Sequence, residues 1–224
     1  MSEILLDYNI FFFLCSSVRL LGVTVTPDLQ LDKYVTSVSA TCFYQLRQLR
    51  RIRHSLDRDS VATLVHAFVT SRVDYCLCLL AGASLASVNK LQRVMNAAAR
   101  IVTDTQKFDR GLSHLMHEEL HWLDVRERIQ FRLAVTMYKC LHGMAPRYLS
   151  ELCVPVSTLP SHRRLRSACT QQLVVPGYRL SSFGPRSFAV AGPSLWNSLP
   201  KFLTLLPTLD SFKRHLKTFL FAQY

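Results

Sequence analysis

Two histidines near the middle of the chain have the spacing of ligands in a zinc-dependent hydrolase. His117 and His121 fit the pattern H-E-x-x-H, in which one helix presents two zinc ligands and a general base on the same face. That chemistry requires an unbroken helix through both histidines, but Asp124 and Glu127 have the types and spacing of a capping box that opens a new helix at Val125. We therefore expect His121 to lie at or beyond a helix end, and we predict no metal site.

Other catalytic patterns are missing from the sequence. It contains no G-x-S-x-G motif, no glycine-rich phosphate loop and no credible cysteine and histidine nucleophile pair. From these residues we therefore predict no catalytic residue and no cofactor.

The chain is strongly basic, with a formal net charge of +12, which favours a polyanionic partner. The predicted nucleic-acid contacts are Arg47, Arg50, Arg51, Arg163, Arg164, Arg166, Lys213, Arg214 and Lys217. The first three, with His54, are spaced to form a stripe along one side of a helix. Such cations bind phosphates by releasing their counterions. The alternatives are that cations near a helix carboxy terminus complement its dipole, or that they form a solvated face.

Aromatic residues interleave with the basic residues in the last quarter of the chain. They are Tyr178, Phe183, Phe188 and Trp196. Such rings stack on unpaired bases in proteins that bind single strands. The alternative, which we favour for Phe188 and Trp196, is the aromatic core of a small loop-rich region.

Three helices are predicted to form a bundle in the first half of the chain. The first spans residues 31–54, and the other two form a hairpin at residues 59–102, because apolar residues recur at intervals of three and four in each arm. Gly82 is expected to close the first arm of the hairpin, and Ser84 to cap the second. Helices with so short a connection are expected to pack antiparallel.

The remaining segments are shorter or less regular. Residues 18–26 predict a single strand, residues 112–119 a short helix, and a longer helix should run from Val125 to Gly143. Residues 154–200 are rich in proline, glycine and serine, and their β-prone pieces QLVVP and SFAVAG predict one hairpin. A last amphipathic helix should cover residues 208–221. The predicted fold is mainly α, a three-helix bundle followed by a helical, loop-rich carboxy-terminal domain with a short β-hairpin.

Several long segments also carry a family resemblance. They are AFVTSRVDYC, NKLQRVMNAAARIV, ELHWLDVRERIQF, YKCLHGMAPRYL, RSFAVAGPSLWNSLP and SFKRHLKTFLF. In order and spacing they resemble the carboxy-terminal third of the reverse transcriptase polyprotein of jockey-like, LINE-type non-LTR retrotransposons. The resemblance covers the chain from about Ser17 to Phe221. The chain departs from the family at Asp124, where proline is more frequent, and at Cys78, where a polar residue is usual.

The resemblance implies a part of a polymerase without its catalytic centre. The family binds two metal ions through palm aspartates that include an aromatic-Ala-Asp-Asp motif, and this chain contains no adjacent aspartates. We expect an unrelated extension at 1–16, a residual palm-edge strand at 17–30, a thumb-like bundle at 31–106 and a basic carboxy-terminal region at 107–224. The expected function is non-specific RNA or DNA binding by a remnant of an RNA-directed DNA polymerase. The alternatives are a protein-interaction module that uses the former palm interface, including self-association, and a relic without selected function.

The cysteines and the amino terminus bear on the cellular compartment. Seven cysteines have no framework-like spacing, which favours reduced thiols in the nucleus or cytoplasm. The apolar run from Ile10 to Leu14 is too short for a signal peptide or a membrane span. We therefore expect no membrane partner.

Overall fold

The computed structural model describes residues 17–158, 172–179 and 183–224, which form two compact units. The first unit contains residues 17–76 and 83–125, and the second contains residues 77–82 with the described residues from 126 onwards. Both units are built mainly from helices, and the described residues also include a short β-hairpin, which confirms the predicted fold class. The segment 107–125, which we assigned to the carboxy-terminal region, belongs to the first unit.

The first unit begins with a two-stranded antiparallel hairpin where we predicted a single strand. Strand β1 (Val18–Leu20) pairs with β2 (Val23–Val25), with Val18 opposite Val25. Leu21 and Gly22 both have positive φ, 47° and 85°. A two-residue hairpin turn of type I′ needs positive φ at both central residues, and a glycine supplies one of them without strain. The alternation of residues 18–26 therefore belongs to two short strands.

Four helical segments follow the hairpin in the first unit. They are α1 (Asp32–Ile52), α2 (Arg58–Val65), α3 (Ser71–Asp74) and α4 (Leu85–Thr103). A π-helical turn at His66–Thr70 joins α2 to α3. The Tyr34 hydroxyl at the start of α1 donates to the Tyr75 carbonyl after α3, and the Cys42 thiol lies against the Val69 carbonyl. The segment from α2 to α3 therefore runs antiparallel to α1.

The π-helical turn explains which residues of this antiparallel segment face the core. The buried positions are separated by four residues each: Val61, Val65, Val69 and Val73. An α-helix has 3.6 residues per turn, so a strict interval of four would drift around its axis. The wider π turn absorbs that drift. Phe68 has the spacing of the apolar residues in this arm, but it is 41% exposed.

The end of the first hairpin arm differs from the prediction, whereas the start of the second agrees with it. Helix α3 ends at Asp74, and Cys76 takes the left-handed conformation with φ 54°. Gly82 is also left-handed, but it follows a 3₁₀ turn at Leu77–Leu80 that belongs to the second unit. The Ser84 hydroxyl accepts a hydrogen bond from the Ser87 amide at 3.3 Å, as predicted for the cap of α4.

The last part of the first unit contains the predicted helix break. Helix α5 (Leu112–His114) continues into a π-helical turn at Leu115–Glu119, and His121 has a positive φ of 50°. The next helix begins at Val125, and its first amide donates to Gln92 Oε1 at 2.7 Å. Gln92 on α4 thus fixes where that helix starts.

The second unit packs short helices around an aromatic core. Its helices are α6 (Val125–Leu141), α7 (Arg147–Ser150), α8 (Phe188–Ser198), α9 (Lys201–Thr204) and α10 (Leu209–Phe221). The rings of Tyr138 and Phe212 stack with centroids 4.6 Å apart, and Trp196 lies 5.9 Å from Phe212. All three side chains are fully buried. This core joins α6, α8 and α10.

The hairpin predicted within residues 154–200 is wrong, because the segment expected to form its second strand is helical. SFAVAG opens helix α8, and QLVVP contributes only an isolated bridge between Pro155 and Leu173. Gly192 in α8 approaches Met137 so closely that an added Cβ would lie 2.5 Å from its Sδ atom. This tertiary packing overrides the β-propensity of the segment.

In the described part of the chain, no helix combines the length and the apolar character needed to cross a lipid bilayer.

Candidate nucleic-acid interface

The predicted stripe on α1 is exposed and carries no competing negative charge. Arg47, Arg50 and Arg51 are all exposed on the last two turns of the helix. Within the described residues, none of the three guanidinium groups forms a hydrogen bond or an ion pair. The single acidic residue of α1 is Asp32, at its opposite end. These cations are therefore available to a polyanion.

Helix α4 adds a second row of cations that the sequence analysis missed. It runs parallel to α1, because Ser87 bonds to Asp32 near both starts and Lys90 Nζ donates to Thr36 Oγ1 at 3.1 Å. Helix α4 contains no aspartate or glutamate. Arg93 and Arg100 follow Lys90 by three and ten residues, which places all three on one side of the helix. The sequence does not show that α1 and α4 are parallel neighbours, and for this reason the row on α4 was not predicted.

We call these residues together the basic groove. It comprises Arg47, Arg50, Arg51 and His54 from α1 and the turn after it, and Lys90, Arg93 and Arg100 from α4. The row on α4 extends about 15 Å, since each helical residue rises 1.5 Å. A surface of this length and charge can contact several consecutive phosphates of one strand.

Arg53 lies beside the groove but has a structural role. Its Nε donates to the Ile101 carbonyl at 2.8 Å, and its two Nη atoms donate to the carbonyls of Leu56 and Val102 at 2.9 and 3.5 Å. The last carbonyls of a helix have no partner within it. Arg53 therefore completes the carboxy terminus of α4 and fixes it against the end of α1.

Two exposed aromatic rings lie one turn before the arginines of α1. Phe43 and Tyr44 are 36% and 53% exposed. Phe43 precedes Arg47 by four residues and Tyr44 precedes it by three, so both lie on the same side of α1 as the stripe. Stacking of bases on such rings stabilises complexes with single strands by about 1–3 kcal/mol per base.

Two buried ionisable groups of α1 stay protonated near neutral pH. Burial raises the pKa of Tyr34 to about 12, with a smaller contribution from Cys76. Burial also raises the pKa of the Cys42 thiol to about 11, against a smaller opposing effect of Arg72. Neither group adds negative charge to the first unit near neutral pH.

The other two predicted clusters contribute less to a defined site. Arg163, Arg164 and Arg166 lie outside the described residues. On α10, Lys213 Nζ lies 3.4 Å from Asp210 Oδ1, and Lys217 lies 5.6 Å above the Phe221 ring. Arg214 is exposed beside them. An acidic neighbour thus reduces the positive potential of this helix.

The aromatic residues of the second unit fall into two groups. Trp196 is 2% exposed and belongs to the core, as we favoured, while Phe188 and Phe183 are half-buried. Tyr178 is 52% exposed. Of the four candidates for base stacking, Tyr178 is the one with an exposed ring.

The histidine pair does not share a helical face. His117 lies in the π-helical turn, and its Nε2 is 3.5 Å from Asp124 Oδ1. The helical segment ends at Glu119, before His121. Among the described residues, no group of three histidine, cysteine or carboxylate side chains converges as a metal site.

Comparison of the chain with protein-family models, with curated proteins and with solved structures found no match.

Proposed function

We propose that the chain binds RNA or DNA non-specifically through the basic groove of its first unit. The observation that carries this proposal is the convergence of two parallel, nearly carboxylate-free helices, α1 and α4, into one exposed cationic surface. If the arginines of α1 only formed a solvated basic face, a second row of cations alongside them on α4 would not be needed. Exposed Phe43 and Tyr44 beside the arginines favour unpaired strands over duplexes.

The family resemblance supports the same proposal from an independent direction. The segments quoted above resemble the thumb and the following region of a LINE-type reverse transcriptase, where a polymerase holds its template and primer. On this proposal the chain is a non-catalytic remnant that retains part of the nucleic-acid-binding surface of the polymerase. A primer-extension assay with magnesium and nucleotides should therefore yield no product.

A salt titration tests the binding mechanism directly. Fluorescence anisotropy of the full chain with labelled oligonucleotides should give log Kobs that falls linearly with log salt concentration, with a slope of about −0.7 per contacted phosphate for single strands. Oligonucleotides of different sequence should bind alike. Affinity that is absent at low salt, or that does not respond to salt, would exclude the electrostatic mechanism.

A second candidate function is protein interaction through the β-hairpin. Leu21 at its turn is 90% exposed and Leu20 is 48% exposed, an apolar tip that a soluble partner or a second copy would cover. Light scattering tests self-association. A monomer at all concentrations, with no change on replacing Leu21 by serine, would count against a contact between copies.

A further inference from the structure

A cavity of about 350 Å³ opens at the end of the basic groove, where the carboxy termini of α1 and α4 meet. Its lining residues are Arg50, Arg53, His54, Arg100, Ile101, Asp104, Thr105 and Gln106. All belong to the first unit. The cavity is therefore a concave site at one end of the basic groove, which otherwise extends along the two helices.

The lining of this cavity is cationic although it lies at two helix carboxy termini. Partial negative charge at such ends normally repels anions. Here Arg53 donates to the Ile101 and Val102 carbonyls, and the Arg100 carbonyl accepts the amides of Asp104 and Thr105. Because these three carbonyls at the end of α4 are satisfied, their repulsion of an anion is reduced.

Arg100 is the residue without a structural explanation in this cavity. Its Nε atom is buried and has no hydrogen-bond partner within the described residues. Buried donors are almost always paired, and Arg100 also lines the cavity, so its guanidinium lacks an acceptor that a ligand in the cavity can supply. Arg50 borders the same cavity and is equally unpaired within the described part of the chain.

The charge of the lining selects among phosphate ligands. Three arginines less the carboxylate of Asp104 give a net charge of +2 with His54 neutral. A phosphate monoester carries −1.5 to −2 near pH 7, and a phosphodiester within a strand carries −1. The monoester at a strand end is therefore the better match in charge.

We propose that this cavity binds the terminal phosphate of a nucleic-acid strand, with Arg50 and Arg100 as its ligands. The inference rests on the proposed function, because the rest of the strand lies along the basic groove. Thr105 and Gln106 line the same cavity and supply neutral hydrogen-bonding groups. The strand thus ends in the cavity and does not pass through it.

The test compares single-stranded oligonucleotides that end in a hydroxyl, a 5′ phosphate or a 3′ phosphate. The full chain should bind one of the phosphorylated strands about tenfold more tightly than the hydroxyl-ended strand, equivalent to ~1.4 kcal/mol. Inorganic phosphate at constant ionic strength should reduce that preference. Equal affinity for all three strands would overturn the terminal-phosphate site and leave non-specific binding intact, whereas no binding of any strand would refute the proposed function itself.

Arg93→Gln is the matched control for Arg100→Gln, since both remove one cation from the same side of α4. Both should weaken binding of the hydroxyl-ended strand alike, but Arg100→Gln alone should abolish the preference for the phosphorylated end. Circular dichroism checks that each variant is folded. Arg100→Lys, which keeps the charge, should retain part of the preference if Arg100→Gln is unstable. A preference that survives in Arg100→Gln, or that is lost equally in Arg93→Gln, would overturn the assignment.

Discussion

Replacing Arg53 by alanine is expected to destabilise the first unit strongly although the residue lies at the edge of a binding surface. The substitution removes three hydrogen bonds, to the carbonyls of Ile101, Leu56 and Val102 at 2.8, 2.9 and 3.5 Å. Hydrogen bonds of charged donors contribute about 1.5–3 kcal/mol each, and the longest of these contributes less. Arg53 is half-buried, so water can replace part of the loss.

We expect a loss of about 2–3 kcal/mol in the free energy of unfolding, out of a typical total of about 5–15 kcal/mol. Urea denaturation followed by circular dichroism measures it. Arg50→Ala is the matched control, because that neighbour has no partner within the described residues and such surface changes stay within about 0.5 kcal/mol. Arg53→Lys should fall between the two, since an ammonium cannot reach all three carbonyls.

The result separates structural from binding arginines on one short segment. If Arg53→Ala and Arg50→Ala are equally stable, the guanidinium does not complete the end of α4, and the argument for the cavity beside it loses its basis. If Arg50→Ala is the less stable variant, the assignment of roles is reversed.

Three further predictions concern the rest of the protein. Asn197→Ala should destabilise the second unit by about 1–3 kcal/mol in denaturation experiments, because its amide bonds both the N–H and the carbonyl of Leu173 at 2.8 Å. Gly192→Ala should destabilise the same unit by about 1–3 kcal/mol, since the new Cβ would lie 2.5 Å from the Sδ of buried Met137; unchanged stability would mean that this packing is loose. The raised pKa of Cys42 gives a contribution to the free energy of unfolding that is complete below pH 9 and is lost as the pH rises towards about 11, by up to ~1.4 kcal/mol per pH unit. Cys42→Ala should therefore make the pH dependence of the free energy of unfolding shallower between pH 9 and 11. An identical slope in the two proteins would contradict the pKa shift.

Helix positions were predictable from sequence where local physics decides them. The apolar spacing of α1, the serine cap at Ser84 and the break before Val125 all depend on residues within a few positions of each other. Helix α8 was not predictable in this way. Its β-prone SFAVAG segment becomes helical because Gly192 packs against a residue far away in sequence.

Only the part of the candidate site that lies within one helix was predictable from the sequence. Arg47, Arg50 and Arg51 form a visible stripe within one helix. Arg100 is 49 residues after Arg51 in the chain, and only the parallel arrangement of α1 and α4 brings its row alongside the first. Arg53 could not be told from its neighbours by sequence, because its carbonyl partners are supplied by the packing.

The most direct test of the account compares two triple variants with equal loss of charge. Arg47→Gln, Arg50→Gln and Arg51→Gln remove the stripe on α1, and Lys213→Gln, Arg214→Gln and Lys217→Gln remove the cluster on α10. With a single-stranded oligonucleotide, the first triple should reduce the magnitude of the salt slope by about 2, and the second should change it clearly less. Equal slopes for the two variants, or a larger change in the second, would contradict binding through the basic groove.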